Sequence, residues 1–109
     1  MKKIFRPDEV RSTPKFRNYY NSLPKDSELF NRIKKCVDSL KKNRIVGDKV
    51  EKNKWPKFYK DQYEINNLFR VETGECRLTY TLIGENGKII ACVLEFFADH
   101  VSYNDRFGY

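Results

Sequence analysis

From Asn67 to Phe97 apolar and polar side chains alternate through "NLFRVET", "ECRLTYTLIG" and "KIIACVLEFF". Period-two alternation marks strands whose two faces differ, and the short links between the runs leave room only for hairpins. Three consecutive antiparallel strands are therefore expected. The rest of the chain must pack on this meander or extend it.

The link "GENG" decides which residues share a face, because an even or odd number of turn residues flips one strand relative to the other. With Asn86 and Gly87 alone as the turn, Cys76, Leu78, Tyr80 and Leu82 share a face with Ile89, Ala91, Val93, Glu95 and Phe97. That register buries Glu95. With Glu85, Asn86 and Gly87 as a three-residue loop, the same four residues align with Ile90, Cys92, Leu94 and Phe96, giving one wholly apolar face. The second register is the expected one. The opposite face then holds Arg77, Thr79, Thr81, Ile83, Ile89, Ala91, Val93 and Glu95, with Arg77 across from Glu95. Its apolar part forms an open surface for a partner to cover.

Upstream, a short stretch around Lys2 to Phe5 has strand character, and Pro14 opens a run with Phe16, Tyr19, Tyr20 and Leu23 at helical spacing. Pro24 ends that helix, and Asp26 and Glu28 suit the positive end of the next. In this second helix Leu29, Ile33, Cys36, Val37 and Leu40 form one stripe, with Lys41 and Lys42 at its C-terminal end. The pair reads as a helical hairpin. The expected fold is a single α+β domain over residues 1–109, with two N-terminal helices packed on one face of a small, mainly antiparallel sheet.

The chain has 109 residues, 22 Lys and Arg against 15 Asp and Glu, and a net charge of +7. Such a surplus favours a polyanionic partner, because cations that neutralise phosphates release condensed counterions. The basic connector "KNKWPKFYKDQY" interleaves Lys52, Lys54, Lys57 and Lys60 with Trp55, Phe58 and Tyr59. Two readings stand: a surface that grips phosphates and stacks bases, or a solvated loop pinned to the core by its aromatics. Cys36, Cys76 and Cys92 lack metal-ligand spacing and fall in apolar patterns, so they read as buried reduced thiols, with no metal or other cofactor implied. No run is long and apolar enough for a membrane span, and the default expectation is a cytoplasmic protein without a membrane partner.

After Ala98 the chain brings its one histidine, His100, then Tyr103, Arg106 and Tyr109, and Asp99 to Phe107 has room for about two helical turns. Because His100 follows the strand that pairs with that of Arg77, the segment gathers Arg77, His100 and Tyr103. An arginine holds a phosphate bidentately, and a histidine moves a proton near neutral pH. Those are the parts for metal-free RNA cleavage, in which the ribose 2′-hydroxyl attacks the scissile phosphate. No Ser-His-Asp signature, glycine-rich phosphate loop or cluster of metal carboxylates competes with them.

The order of these features resembles the RelE/ParE toxin superfamily over most of the chain: a helical hairpin, then "NNLFRVETGECRLTYTLIG", then "VLEFFADHVSY" and the terminal "RFGY". The resemblance implies a RelE-like fold and an mRNA endonuclease, often associated with the ribosome, that a cognate antitoxin protein neutralises. It implies that Arg77, in the R-L-x-Y pattern, contacts the scissile phosphate, and that His100 and Tyr103 belong to the catalytic region. Arg70, Lys54, Lys57, Lys60 and Arg106 are the expected RNA-binding cations. Only one cation, Arg70, stands on "NNLFRVE", where RelE itself carries two lysines. ParE-like relatives share the fold and inhibit gyrase, so a gyrase inhibitor or a non-catalytic binding protein is the alternative.

Overall fold

The computed structural model describes residues 5–108 and has α+β architecture built on one five-stranded sheet. In chain order the elements are β1 (Glu9–Ser12), α1 (Pro14–Ser22), α2 (Glu28–Lys42), β2 (Asp48–Lys49), a 3-10 turn at Lys52–Lys54, α3 (Lys57–Gln62), β3 (Phe69–Thr73), β4 (Cys76–Glu85), β5 (Lys88–Phe97) and α4 (His100–Phe107). The sheet order is β1-β5-β4-β3-β2. The three expected strands are its centre.

β1 was not anticipated, and it changes the character of the sheet. It runs parallel to β5, whereas the β2–β3, β3–β4 and β4–β5 pairs are antiparallel, so the sheet is mixed, with its one parallel pair at the β1 edge. Of the expected strand around Lys2 to Phe5, residues 2–4 lie outside the described residues and Phe5 is in no strand.

Each N-terminal helix begins on a hydroxyl cap. The Thr13 side chain accepts from the Phe16 N–H with Pro14 at the first helical position, and the Ser27 side chain accepts from the Phe30 N–H. Rather than forming a simple hairpin, the two helices dock separately on the sheet, α1 against β5 and α2 against β1 and β3. The stacked rings of Tyr20 and Phe30, 4.6 Å apart, join them. Beneath them Phe16, Ile33, Cys36, Leu40, Phe69, Leu78, Tyr80, Ala91 and Val93 form a buried core.

The turn between β4 and β5 is the two-residue one. Glu85 pairs with Lys88, and Asn86 and Gly87 both take left-handed φ values of 52° and 77°. Asn-Gly suits such a turn, because its backbone twist matches that of the flanking strands. Tyr80 therefore pairs with Val93 and Leu82 with Ala91, in the register that the alternation argued against. A bulge then intervenes: Tyr80 opposes Val93, but Thr79 opposes Glu95, so Leu94 is an extra residue. Beyond it β5 has reversed its faces. Ala91 and Val93 belong to the core under α1 and α2, and Phe96 packs against that same core, while Leu94 and Phe97 belong to the other side. Arg77 consequently lies across from Phe97, not Glu95.

That other side is not an open apolar surface. α3, α4 and the connector cover it, and Val50, Trp55, Tyr59, Leu68, Leu94, Phe97, Tyr103 and Phe107 make a second core. Trp55 and Tyr59 are buried there, so they are not free to stack bases, and the Trp55 indole donates to the Val50 carbonyl at 2.9 Å. Pinning by aromatics is the outcome for these two rings.

Glu95 sits at the rim of this second core with only 6% of its side chain exposed. Its Oε2 accepts from Lys15 Nζ of α1 at 3.3 Å and from Arg106 Nη2 of α4 at 3.2 Å. Both cations also approach the Phe58 ring of α3, at 5.3 and 4.2 Å from its centroid. One carboxylate thus fastens α1, α3 and α4 to β5. Opposing charge and ring contacts offset the desolvation that burial of Glu95 costs.

Two stability predictions follow from these contacts. Arg106→Met should lower stability by about 3 kcal/mol, the low end for breaking a buried pair, because Arg106 itself remains 30% exposed. Adding Glu95→Gln should recover much of that loss, as read by urea denaturation of the single and double variants. At α4 the Asp99 side chain caps the helix by accepting from the Ser102 N–H at 2.7 Å. Hydrogen bonds from Ser102 and Val101, with lesser help from His100, hold its pKa below the ordinary aspartate value. A lowered folded pKa means the cap's contribution is complete above the ordinary value and disappears as pH falls through the folded one. The Ser102 amide resonance should follow that loss in acid, and Asp99→Asn should flatten it.

Candidate functional site

On the α3/α4 side of the sheet, side chains fall into two rows across the strands. One row is Asp48, Arg70, Thr79 and Glu95, and the next is Glu72, Arg77 and Phe97. The first brings Arg70 and the buried Glu95 to either side of Thr79. The second sets Arg77 directly between Glu72 and Phe97.

Arg77 is held from behind. Its Nη1 donates to the carbonyls of Gly74 at 3.0 Å and Cys76 at 2.9 Å, and its side chain is only 17% exposed. Such anchoring leaves little rotamer freedom, which is what a preorganised anion clamp requires. Arg70, 25% exposed, donates from Nη1 to the Tyr103 hydroxyl at 3.4 Å, and its guanidinium lies 5.8 Å from the centroid of that ring. Burial works against its charge, but Tyr103, Glu72 and Asp48 outweigh that effect and its pKa is raised. Gly47 lets the chain pass close against the Arg70 backbone, since a methyl group there would strike the Arg70 carbonyl.

Glu72 joins the two arginines. Its Oε1 lies 3.5 Å from Arg70 Nε and 3.5 Å from Arg77 Nε. Nothing in the reading of the sequence singled it out, although the signal was present: a two-residue turn at Gly74 and Glu75 sets Glu72 opposite Arg77 by the same parity rule applied to "GENG".

Tyr103 is positioned by stacking. Its ring lies 4.2 Å from Phe107 and meets Phe97 edge-on at 5.6 Å, while Tyr59 meets Phe107 at 5.6 Å. The aromatic wedge delivers two hydroxyls to the first row, that of Tyr103 to Arg70 and that of Tyr59 to Thr79 Oγ1 at 2.7 Å. Burial and the nearby Glu95 raise the Tyr59 pKa, so this hydroxyl stays protonated.

Of the expected catalytic trio, Arg77 and Tyr103 are linked through Phe97 and through the Glu72–Arg70 bridge. His100 is the first residue of α4, is exposed, and hydrogen-bonds to none of Arg77, Arg70 and Tyr103 among the described residues. The Cys76 thiol donates to the Ala98 carbonyl at 3.3 Å and so ties the segment before His100 to the start of β4. Among the RNA-binding candidates, Lys54 lines a small pocket with Lys49, Val50, Glu51 and Arg70. Lys57 and Lys60 are exposed on α3, while Arg106 is turned inward to Glu95 and Phe58.

No protein-family model, curated protein or solved structure matches this chain at a significant level.

Proposed function

We propose that the protein is the toxin component of a toxin–antitoxin module, a metal-free endoribonuclease that cleaves mRNA, in association with the ribosome, in the cytoplasm. The observation that carries this reading is the pair of partly buried arginines on adjacent strands, with Arg77 immobilised by two backbone carbonyls. Fixed guanidinium groups that cost no reorganisation are what a developing phosphorane needs. A RelE-like fold is part of the same proposal, supported by α1 and α2 lying over one core of the sheet and by "RLTY" within β4.

In this mechanism the ribose 2′-hydroxyl attacks the scissile phosphorus, its proton leaves to a base, and the 5′-oxygen departs with a proton from an acid. Arg77 and Arg70 hold the non-bridging oxygens. The Tyr103 hydroxyl orients Arg70, and the exposed imidazole of His100 is the proton carrier. Lys54, Lys57 and Lys60 supply positive charge for the flanking RNA. A cognate antitoxin protein would neutralise the activity.

His100 makes no hydrogen bond to Arg77, Arg70 or Tyr103 among the described residues, which favours a second reading, a gyrase inhibitor or non-catalytic binding protein on the same fold, and one experiment separates the two. Wild type, Arg77→Ala and His100→Ala are induced in cells and mRNA 5′ ends are mapped. Ribosome-phased cleavage by wild type is expected, reduced about a hundredfold in Arg77→Ala. The fold should hardly notice, since a partly exposed cross-strand pair contributes about 0.2–1 kcal/mol. Undiminished cleavage by a less stable Arg77→Ala would falsify the phosphate assignment, and arrest with DNA-damage signalling but no new 5′ ends would select the second reading.

A further inference from the structure

We infer that Glu72 occupies the anion subsite between Arg70 and Arg77 in the free protein, and that an RNA phosphodiester enters by displacing it. This rests on the reading of the arginine pair as a phosphate clamp and adds a residue that sets the affinity of that clamp.

The contact distances support displacement. A carboxylate that pairs well with arginine does so at hydrogen-bond length, as Glu9 does with Arg11 at 2.7 and 3.1 Å. Glu72 instead shares one oxygen between two Nε atoms, both at 3.5 Å, and hydrogen-bonds to neither. Arg70 Nε is buried and makes no hydrogen bond among the described residues. The pair therefore presents a donor that the carboxylate does not satisfy, in a gap wider than a single oxygen fills. A phosphodiester presents two charged non-bridging oxygens on a tetrahedral centre, one for each guanidinium.

Displacement is also easy on the side of Glu72. Its side chain is 49% exposed, so leaving the arginines returns it to water. Exposed pairs of this kind contribute little to stability. The arginines, by contrast, keep their places when it leaves, Arg77 through Gly74 and Cys76, and Arg70 through Tyr103. The clamp persists without its occupant.

The test compares binding of a non-cleavable 2′-O-methyl oligoribonucleotide to full-length wild type and Glu72→Gln by fluorescence anisotropy. Glu72→Gln should bind about fivefold more tightly at low salt, the fold-change that about 1 kcal/mol of lost competition gives. The gain should shrink as salt rises and vanish when Arg77→Ala is added. Equal or weaker binding by Glu72→Gln would overturn the inference. A second measurement needs no variant: inorganic phosphate added to wild type should shift the Nε–H resonances of Arg70 and Arg77 together, and a shift of neither is the contrary result. If wild type cleaves no RNA but Glu72→Gln binds more tightly, the anion subsite stands and the nuclease reading falls. If wild type cleaves RNA and Glu72→Gln gains nothing, the nuclease reading stands and this inference falls.

Discussion

One extra residue in β5 organises the molecule. A ten-residue strand of strict alternation would give one apolar face and one polar face. The bulge at Leu94 lets β5 serve two interiors in turn, Ala91 and Val93 the one under α1 and α2, Leu94 and Phe97 the one under α3 and α4. Because a bulge reverses the faces of everything beyond it, the residues opposite Thr79 and Arg77 are set by it as well. Glu95 thereby comes under the cations of α1 and α4, and Phe97 comes beside Tyr103.

Two carboxylates on the same side of the sheet are each shared between two cations, and burial gives them opposite characters. Glu95 is enclosed, bonded at 3.2 and 3.3 Å, and its cations rest on Phe58. Losing those cations would strand its own charge in a dry place. Glu72 is half in water at longer distances, and nothing encloses it. Similar chemistry therefore does structural work in one place and leaves a vacatable position in the other.

Elements whose signals are local were legible in the sequence. Pro14 and the apolar spacing of α2 gave the first two helices, alternation gave β3, β4 and β5, and the residues after Ala98 gave α4. What escaped depends on contacts distant in sequence. β1 has only four residues with no turn signal of its own, and it exists because β5 lies beside it. The connector looked irregular because β2 and α3 are short and held by burial of Trp55 and Tyr59, not by periodicity. Excluding the Asn86–Gly87 turn because it buried Glu95 failed twice: the bulge returned Glu95 to the other face, and Lys15 and Arg106, far away in sequence, made its burial tolerable. Arg70, Arg77 and Tyr103 were each singled out from the sequence, but their link through Glu72 required strand register, and the exposure of His100 at the start of α4 required the packing of that helix.

Thr13 joins three structural tasks at the corner of the sheet. Its N–H donates to the Val93 carbonyl, its hydroxyl donates to the Leu94 carbonyl, and the same oxygen accepts from Phe16 to start α1. β1 ends where this residue turns the chain, so the edge of β5 passes directly from a paired strand to a helix cap. An exposed strand edge is a template on which a second copy can add and propagate. By engaging the carbonyls at the bulge, one threonine guards a short gap where the sheet would otherwise offer itself to aggregation.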